Sequence, residues 1–148
     1  MCGFVGLYLN NNYNVEVRKL VSILNNMSNS IAHRGPDHKD IYINEKEKLA
    51  FGFQRLSIID LKSSANQPMI SKNKDWVIIF NGEIYNYKQL FEKCNIIPKT
   101  NSDCEIILQL YKMLGSQCFN LLDGVFGCVL YNKETNEINP IPKPQSII

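Results

Sequence analysis

The chain has 148 residues, 45% of them hydrophobic and 20% charged, with 16 Lys and Arg against 14 Asp and Glu for a formal net charge of +2. That length suits one domain with a sizeable core, and that composition excludes global disorder. The charges are scattered singly, so the chain carries no basic footprint for nucleic acid.

Five cysteines without a C-x-x-C pair, beside only two histidines, fit neither a closed disulfide framework nor a zinc site. Reduced thiols in the cytoplasm, with no metal, are the expectation. No apolar run is long enough for a signal peptide or a membrane span, and Gly3 sits one place too late for myristoylation.

Residues 3–9 are apolar and aromatic and are followed by Asn10-Asn11-Asn12, the pattern of a buried strand starting almost at the N-terminus. Over 15–27, apolar residues at 17, 20, 21, 24 and 27 trace one face of an amphipathic helix. A polar loop over 29–37 contains the breaker Gly35-Pro36. Runs of strand length follow at 40–43, 49–53 and 76–80, the last two separated by a turn-rich segment, 62–75, with Pro68.

Asn81-Gly82, directly after 76–80, predicts a turn, and Asn86 with Gln89 predicts a capped helix over 87–93. Ser102-Asp103-Cys104-Glu105 reads as a capping box ahead of a largely buried helix ended by Gly115. A short helix at 117–122 and a strand at 125–131 complete the ordered part. Prolines at 140, 142 and 144 make 136–148 an extended tail rather than a packed element. The whole reads as one α+β layered domain over 1–135, since strands and helices alternate too irregularly for a doubly wound sheet.

Cys2 is the first residue with chemistry to offer. Removal of Met1 would leave it a free α-amino group, ordinarily titrating near 7.7–8.0 and able to act as base to its own thiol. The plainer reading is a small apolar residue opening a strand. His33 and His38 have no third ligand at suitable spacing and read as structural or exposed. Cys94, Cys104, Cys118 and Cys128 fall in predicted helices or the last strand and read as packing residues.

Four blocks accompany Cys2: His33-Arg34-Gly35-Pro36-Asp37, Arg55-Leu56-Ser57-Ile58-Ile59-Asp60, Asn81-Gly82-Glu83-Ile84-Tyr85-Asn86 and Ser102-Asp103-Cys104-Glu105. In this order and spacing, from Met1-Cys2-Gly3 to about Tyr131, they resemble the glutaminase domain of glutamine-dependent asparagine synthetases, which are class II glutamine amidotransferases. Pro36-Asp37 and Glu83-Ile84-Tyr85 favour the asparagine synthetase branch. The resemblance implies a four-layer αββα N-terminal-nucleophile hydrolase fold, with L-glutamine as substrate.

It also implies roles. Cys2 attacks the glutamine amide carbon, and Asn81 and Gly82 meet the oxyanion, although Asn-Gly by itself also reads as a hairpin turn. Arg55 and Asp103 hold the α-carboxylate and α-ammonium; their plainer readings are a surface charge at a strand end and a first-turn helix acid. Leu56, Ser57, Ile58, Ile59 and Glu83 are lesser glutamine contacts. Arg34 and Asp37 belong to the structure of the loop over the site. The glutaminase step needs no cofactor.

In the resembled enzymes a strand bearing an Arg-Asp pair follows, and then a synthetase domain that uses ATP and Mg. Residues 136–148 carry no Arg-Asp pair, and the chain holds no Ser-Gly-Gly-x-Asp block. The expectation is therefore a C-terminally truncated glutaminase domain without the synthetase domain, its fold incomplete at the C-terminus. Its open sheet edge would be an aggregation liability unless a partner such as a separate synthetase subunit covers it. The alternative is a remnant that binds glutamine without turning it over.

Overall fold

Side chains on successive strand residues point to opposite faces, so a strand apolar on both faces must lie between two packed layers. Strand β3 (Leu49–Arg55) is such a strand, buried at every position. The structure, a computed structural model, describes residues 2–9, 15–58, 62–71, 73 and 75–143. Around β3 lie β1 (Gly3–Tyr8), α1 (Val17–Ser30) and β2 (His38–Asn44); then follow β4 (Met69–Ile70), β5 (Trp76–Ile84), α2 (Tyr87–Lys93), α3 (Cys104–Leu114), β6 (Gly124–Asn132) and β7 (Ile138–Lys143).

Two antiparallel sheets result, one in the order β1-β3-β2 and the other in the order β4-β5-β6-β7. Alternation sorts their side chains into three cores. Ala50 packs with Leu20 and Leu24 of α1, while Leu49 and Phe51 turn the other way to meet Val77, Ile79 and Tyr131 between the sheets. Ile78 and Phe80 face outward from β5 onto Leu90, Ile106, Ile107 and Leu110 of α2 and α3. The layer order is helix, sheet, sheet, helix: the four-layer αββα architecture of N-terminal-nucleophile hydrolases. Tyr131 ties the sheets together, its hydroxyl accepting from Asn44 Nδ2 at 2.7 Å and donating to Asn136 Oδ1 at 3.0 Å.

Several local expectations change. Asn81-Gly82 is not a turn: β5 runs through both to Ile84, because β6 pairs with it that far, and the chain turns only at 85–86. The two capping boxes do not form. Asn86 instead bonds Leu121 O and the Asp123 N–H, and Glu105 reaches past Ser102 to the N–H groups of Lys99 and Thr100. The short helix is a 3-10 turn, Gly115–Asn120.

The reading of 136–148 as an unpacked tail fails for Ile138–Lys143, which is extended but pairs with β6. Asn132 N–H donates to Glu137 O across this hairpin, so every second pair onward is hydrogen-bonded and Pro140 and Pro142 fall on the alternate positions. Their nitrogens face away from β6. The outer edge of β7 therefore lacks two of the donors that another strand would need, which blunts it against the association an open edge invites. Replacing both prolines with valine restores those donors, and sedimentation velocity should then show concentration-dependent association stronger than in the unsubstituted chain. An unchanged sedimentation coefficient in the double variant would contradict this account of the edge.

Candidate active site

Cys2 immediately precedes β1, whose first residue Gly3 is paired with Gln54 of β3. That register brings Cys2 to the point where β3 ends. Its Sγ accepts the Leu56 N–H at 3.3 Å and lies 3.5 Å from Leu56 O, to which the thiol donates. Arg34 Nε donates to the Cys2 carbonyl at 3.1 Å. Gly35 permits this, because a Cβ there would lie 2.4 Å from the Gln54 carbonyl oxygen. Asp37 then braces the next stretch, its N–H donating to Arg55 O at 3.0 Å and its Oδ2 accepting the Ser57 N–H at 2.7 Å. The 33–37 block thus fixes both Cys2 and the chain facing it.

The opposite wall is an edge of β5. Tyr85 N–H donates to Asp123 O in line with the β5–β6 register, so the N–H groups of Phe80, Gly82 and Ile84 point away from β6. On that side β4 covers only Val77 and Ile78. Two of the three uncovered donors are met by side chains: Phe80 N–H by Gln67 Oε1 at 2.6 Å, Ile84 N–H by Asp103 Oδ2 at 2.9 Å. Gly82 N–H, between them, has no acceptor among the described residues. Gly82 also has a φ of 147°, and a Cβ there would lie 2.3 Å from Val125 O, so only glycine fits this position.

Cys2 and this edge line one cavity of about 310 Å³, together with Arg55, Asn81, Glu83 and Asp103. Arg55 is not a surface charge: it is 7% exposed, and its Nη1 donates to Lys62 O at 3.0 Å and to Asn66 Oδ1. Asp103 is 5% exposed at the start of α3. Burial pushes its carboxyl up to about 6, against backbone N–H bonds that favour the anion, and the neighbouring Glu83 charge pushes the same way.

Of the remaining sequence candidates, Leu56 and Ile58 line the cavity while Ser57 does not, its N–H being committed to Asp37. Ile59 lies outside the described residues. Sequence reasoning missed Gln67, Ser102, Tyr85 and Val125 in the wall. Gln67 stood in a segment read only for its turns. No group of His, Cys, Asp and Glu among the described residues could hold a metal ion, and no helix among them is long and apolar enough to cross a membrane.

Because the Asp103 carboxyl is raised from 3.8 to about 6, the folded state holds its proton more tightly than the unfolded chain. Its contribution to stability is complete below about pH 4 and is lost as the pH rises through about 6. Wild-type stability measured against Asp103→Asn by urea unfolding should therefore fall between pH 4 and pH 7, by up to about 3 kcal/mol. A difference that does not change with pH, or that grows in favour of the wild type, would contradict the buried placement.

Residues 1–139 match a family model described as a glutamine amidotransferase domain. A putative asparagine synthetase (glutamine-hydrolyzing) 2 of Methanocaldococcus jannaschii is 36% identical over 150 residues, covering 90% of this chain and 28% of its own length. Asparagine synthetase (glutamine-hydrolyzing) 1 of Bacillus subtilis is 38% identical, covering 90% of this chain and 21% of its own. A probable asparagine synthetase of Dictyostelium discoideum is 34% identical, with all of this chain and 26% of its own covered. The chain thus spans between a fifth and a third of the length of these relatives. A family match over all but the last nine residues, on a four-layer fold with a cysteine at the head of its first strand, leads to one conclusion: the chain belongs to the glutamine amidotransferase domain family.

Proposed function

We propose that this domain hydrolyses L-glutamine to glutamate and ammonia through a thioester at Cys2. The observation that supports this best is the cavity itself. It joins the Cys2 thiol to the Gly82 N–H, which lacks an acceptor among the described residues, and places a buried guanidinium and a buried carboxylate in the same wall.

Once Met1 is removed, the α-amino group of Cys2 takes the thiol proton and the sulfur attacks the amide carbon of glutamine. The oxyanion that forms is met by the Gly82 N–H and the Asn81 side-chain amide. The C–N bond then breaks, the proton leaves with ammonia, and water hydrolyses the thioester to glutamate and free thiol. Arg55 binds the α-carboxylate, Asp103 the α-ammonium, and Leu56, Ile58 and Glu83, which line the same cavity, complete the contacts. No metal or organic cofactor enters this step. The names of the relatives, glutamine-hydrolyzing asparagine synthetases, support asparagine synthesis as the destination of the ammonia, and the resemblance drawn from the sequence blocks adds an ATP-using synthetase domain or separate subunit as the partner that would consume it.

In an assay of glutamate release, Cys2→Ala should abolish turnover. Arg55→Lys and Asp103→Asn should raise KM for glutamine roughly 10- to 150-fold, the cost of losing a hydrogen bond to a charged group. Asn81→Ala should act mainly on kcat, lowering it roughly 100- to 1,000-fold. Only the ionised Asp103 attracts the α-ammonium, so glutamine should bind more tightly to Cys2→Ala as the pH rises through about 6, and the additional change Asp103→Asn should remove that dependence. Turnover surviving Cys2→Ala, or an unchanged KM in both pocket variants, would refute the proposal.

A further inference from the structure

We infer that Glu105 is a positioning residue for the substrate: with Thr100 it holds the turn that presents Asp103 to the cavity. The inference rests on the glutaminase reading above, in which Asp103 meets the α-ammonium of glutamine. Ser102 and Asp103 line the cavity of Cys2, whereas Lys99, Thr100 and Glu105 line a separate cavity of about 380 Å³. Any effect of Glu105 on bound glutamine therefore passes through the residues between them.

Glu105 is 4% exposed, and a carboxylate so deeply buried is costly unless its oxygens are met. Oε1 accepts the Lys99 N–H at 3.0 Å, and Oε2 accepts the Thr100 N–H and the Thr100 hydroxyl, both at 2.8 Å. A carboxylate takes donors on both oxygens, which a neutral amide of the same shape cannot do. A capping-box glutamate would accept the Ser102 N–H itself. By reaching further back, Glu105 instead folds residues 99–100 against the start of α3.

The bonds continue from there to Asp103. The Thr100 hydroxyl oxygen accepts the Ser102 N–H at 3.2 Å, and Ser102 Oγ accepts the Cys104 N–H at 3.3 Å. The backbone is thus fixed on both sides of Asp103, while its Oδ2 accepts the Ile84 N–H at 2.9 Å. The carboxyl is held from two directions, from β5 through one oxygen and from the turn through its own backbone. Attraction between a carboxylate and an ammonium falls with distance, so a loosened turn weakens binding without disturbing the thiol or the Gly82 N–H.

Glu105→Gln keeps the shape but sets an amide NH2 among backbone donors. Thr100→Val removes only the bridging hydroxyl, which Thr100→Ser retains. In steady-state glutamate release, Glu105→Gln and Thr100→Val should each raise KM for glutamine at least about fivefold with kcat changed less than about threefold, and Thr100→Ser should leave KM within about twofold. Because Glu105 acts through Asp103, adding Glu105→Gln to Asp103→Asn should raise KM no more than about twofold beyond Asp103→Asn alone. A merely structural role would lower the melting temperature and leave KM where it was. An unchanged KM in every variant that keeps a cooperative unfolding transition would overturn the inference, as would effects of Glu105→Gln and Asp103→Asn that multiply in full. Absence of Cys2-dependent glutamate release from the unsubstituted chain would instead defeat the underlying reading, and the inference with it.

Discussion

A strand covered on one side only leaves every second N–H in need of an acceptor, and the site is organised around how β5 meets that requirement. β6 pairs with one edge of β5 through Ile84. On the other edge β4 stops after two pairs, leaving the N–H groups of Phe80, Gly82 and Ile84 to groups from elsewhere. Gln67 and Asp103 take the outer two at 2.6 and 2.9 Å. The middle one opens on the cavity. Two buried polar side chains thus gain fixed orientations from the strand and bracket a single backbone donor.

The other wall comes from the first sheet. Pairing of β1 with β3 carries the N-terminus to the Leu56 N–H, and Arg34 and Asp37 hold the two facing segments in place. The distance between the walls is set by the inter-sheet core of Leu49, Phe51, Val77, Ile79 and Tyr131. Changes in that core, remote from the sulfur, would shift the thiol relative to the Gly82 N–H, and small displacements of a reacting group carry large rate penalties.

Much of this was legible in the sequence. Periodicity located α1 and the strands β1, β2, β3, β5 and β6 to within a few residues, though not β7, and the ordered blocks around Cys2, Arg55, Asn81 and Asp103 pointed to residues that share one cavity. What local pattern could not show was partnership. Asn81-Gly82 has the composition of a turn, and only pairing with the distant β6 makes it strand. Ser102 and Glu105 have the spacing of a capping box, but the Glu105 carboxylate instead meets the backbone of Lys99 and Thr100. Pro140 and Pro142 argue against a central strand yet suit an edge, and sequence does not say which strand is last. Gln67 carries no signal at all until the register of β4 sets it against Phe80.

The central claim is that one thiol of five is built for attack on a glutamine side chain. Burial holds the Cys104 thiol well above its ordinary value and pushes Cys118 up to about 11 and Cys128 up to about 12, so these three are poor nucleophiles. Incubation with 6-diazo-5-oxo-norleucine, a glutamine analogue that alkylates the residue attacking its carbonyl end, followed by peptide mapping, tests the claim directly. The account predicts a single adduct, on Cys2, suppressed by excess glutamine. Label on Cys94, Cys104, Cys118 or Cys128, or none on Cys2, would contradict it.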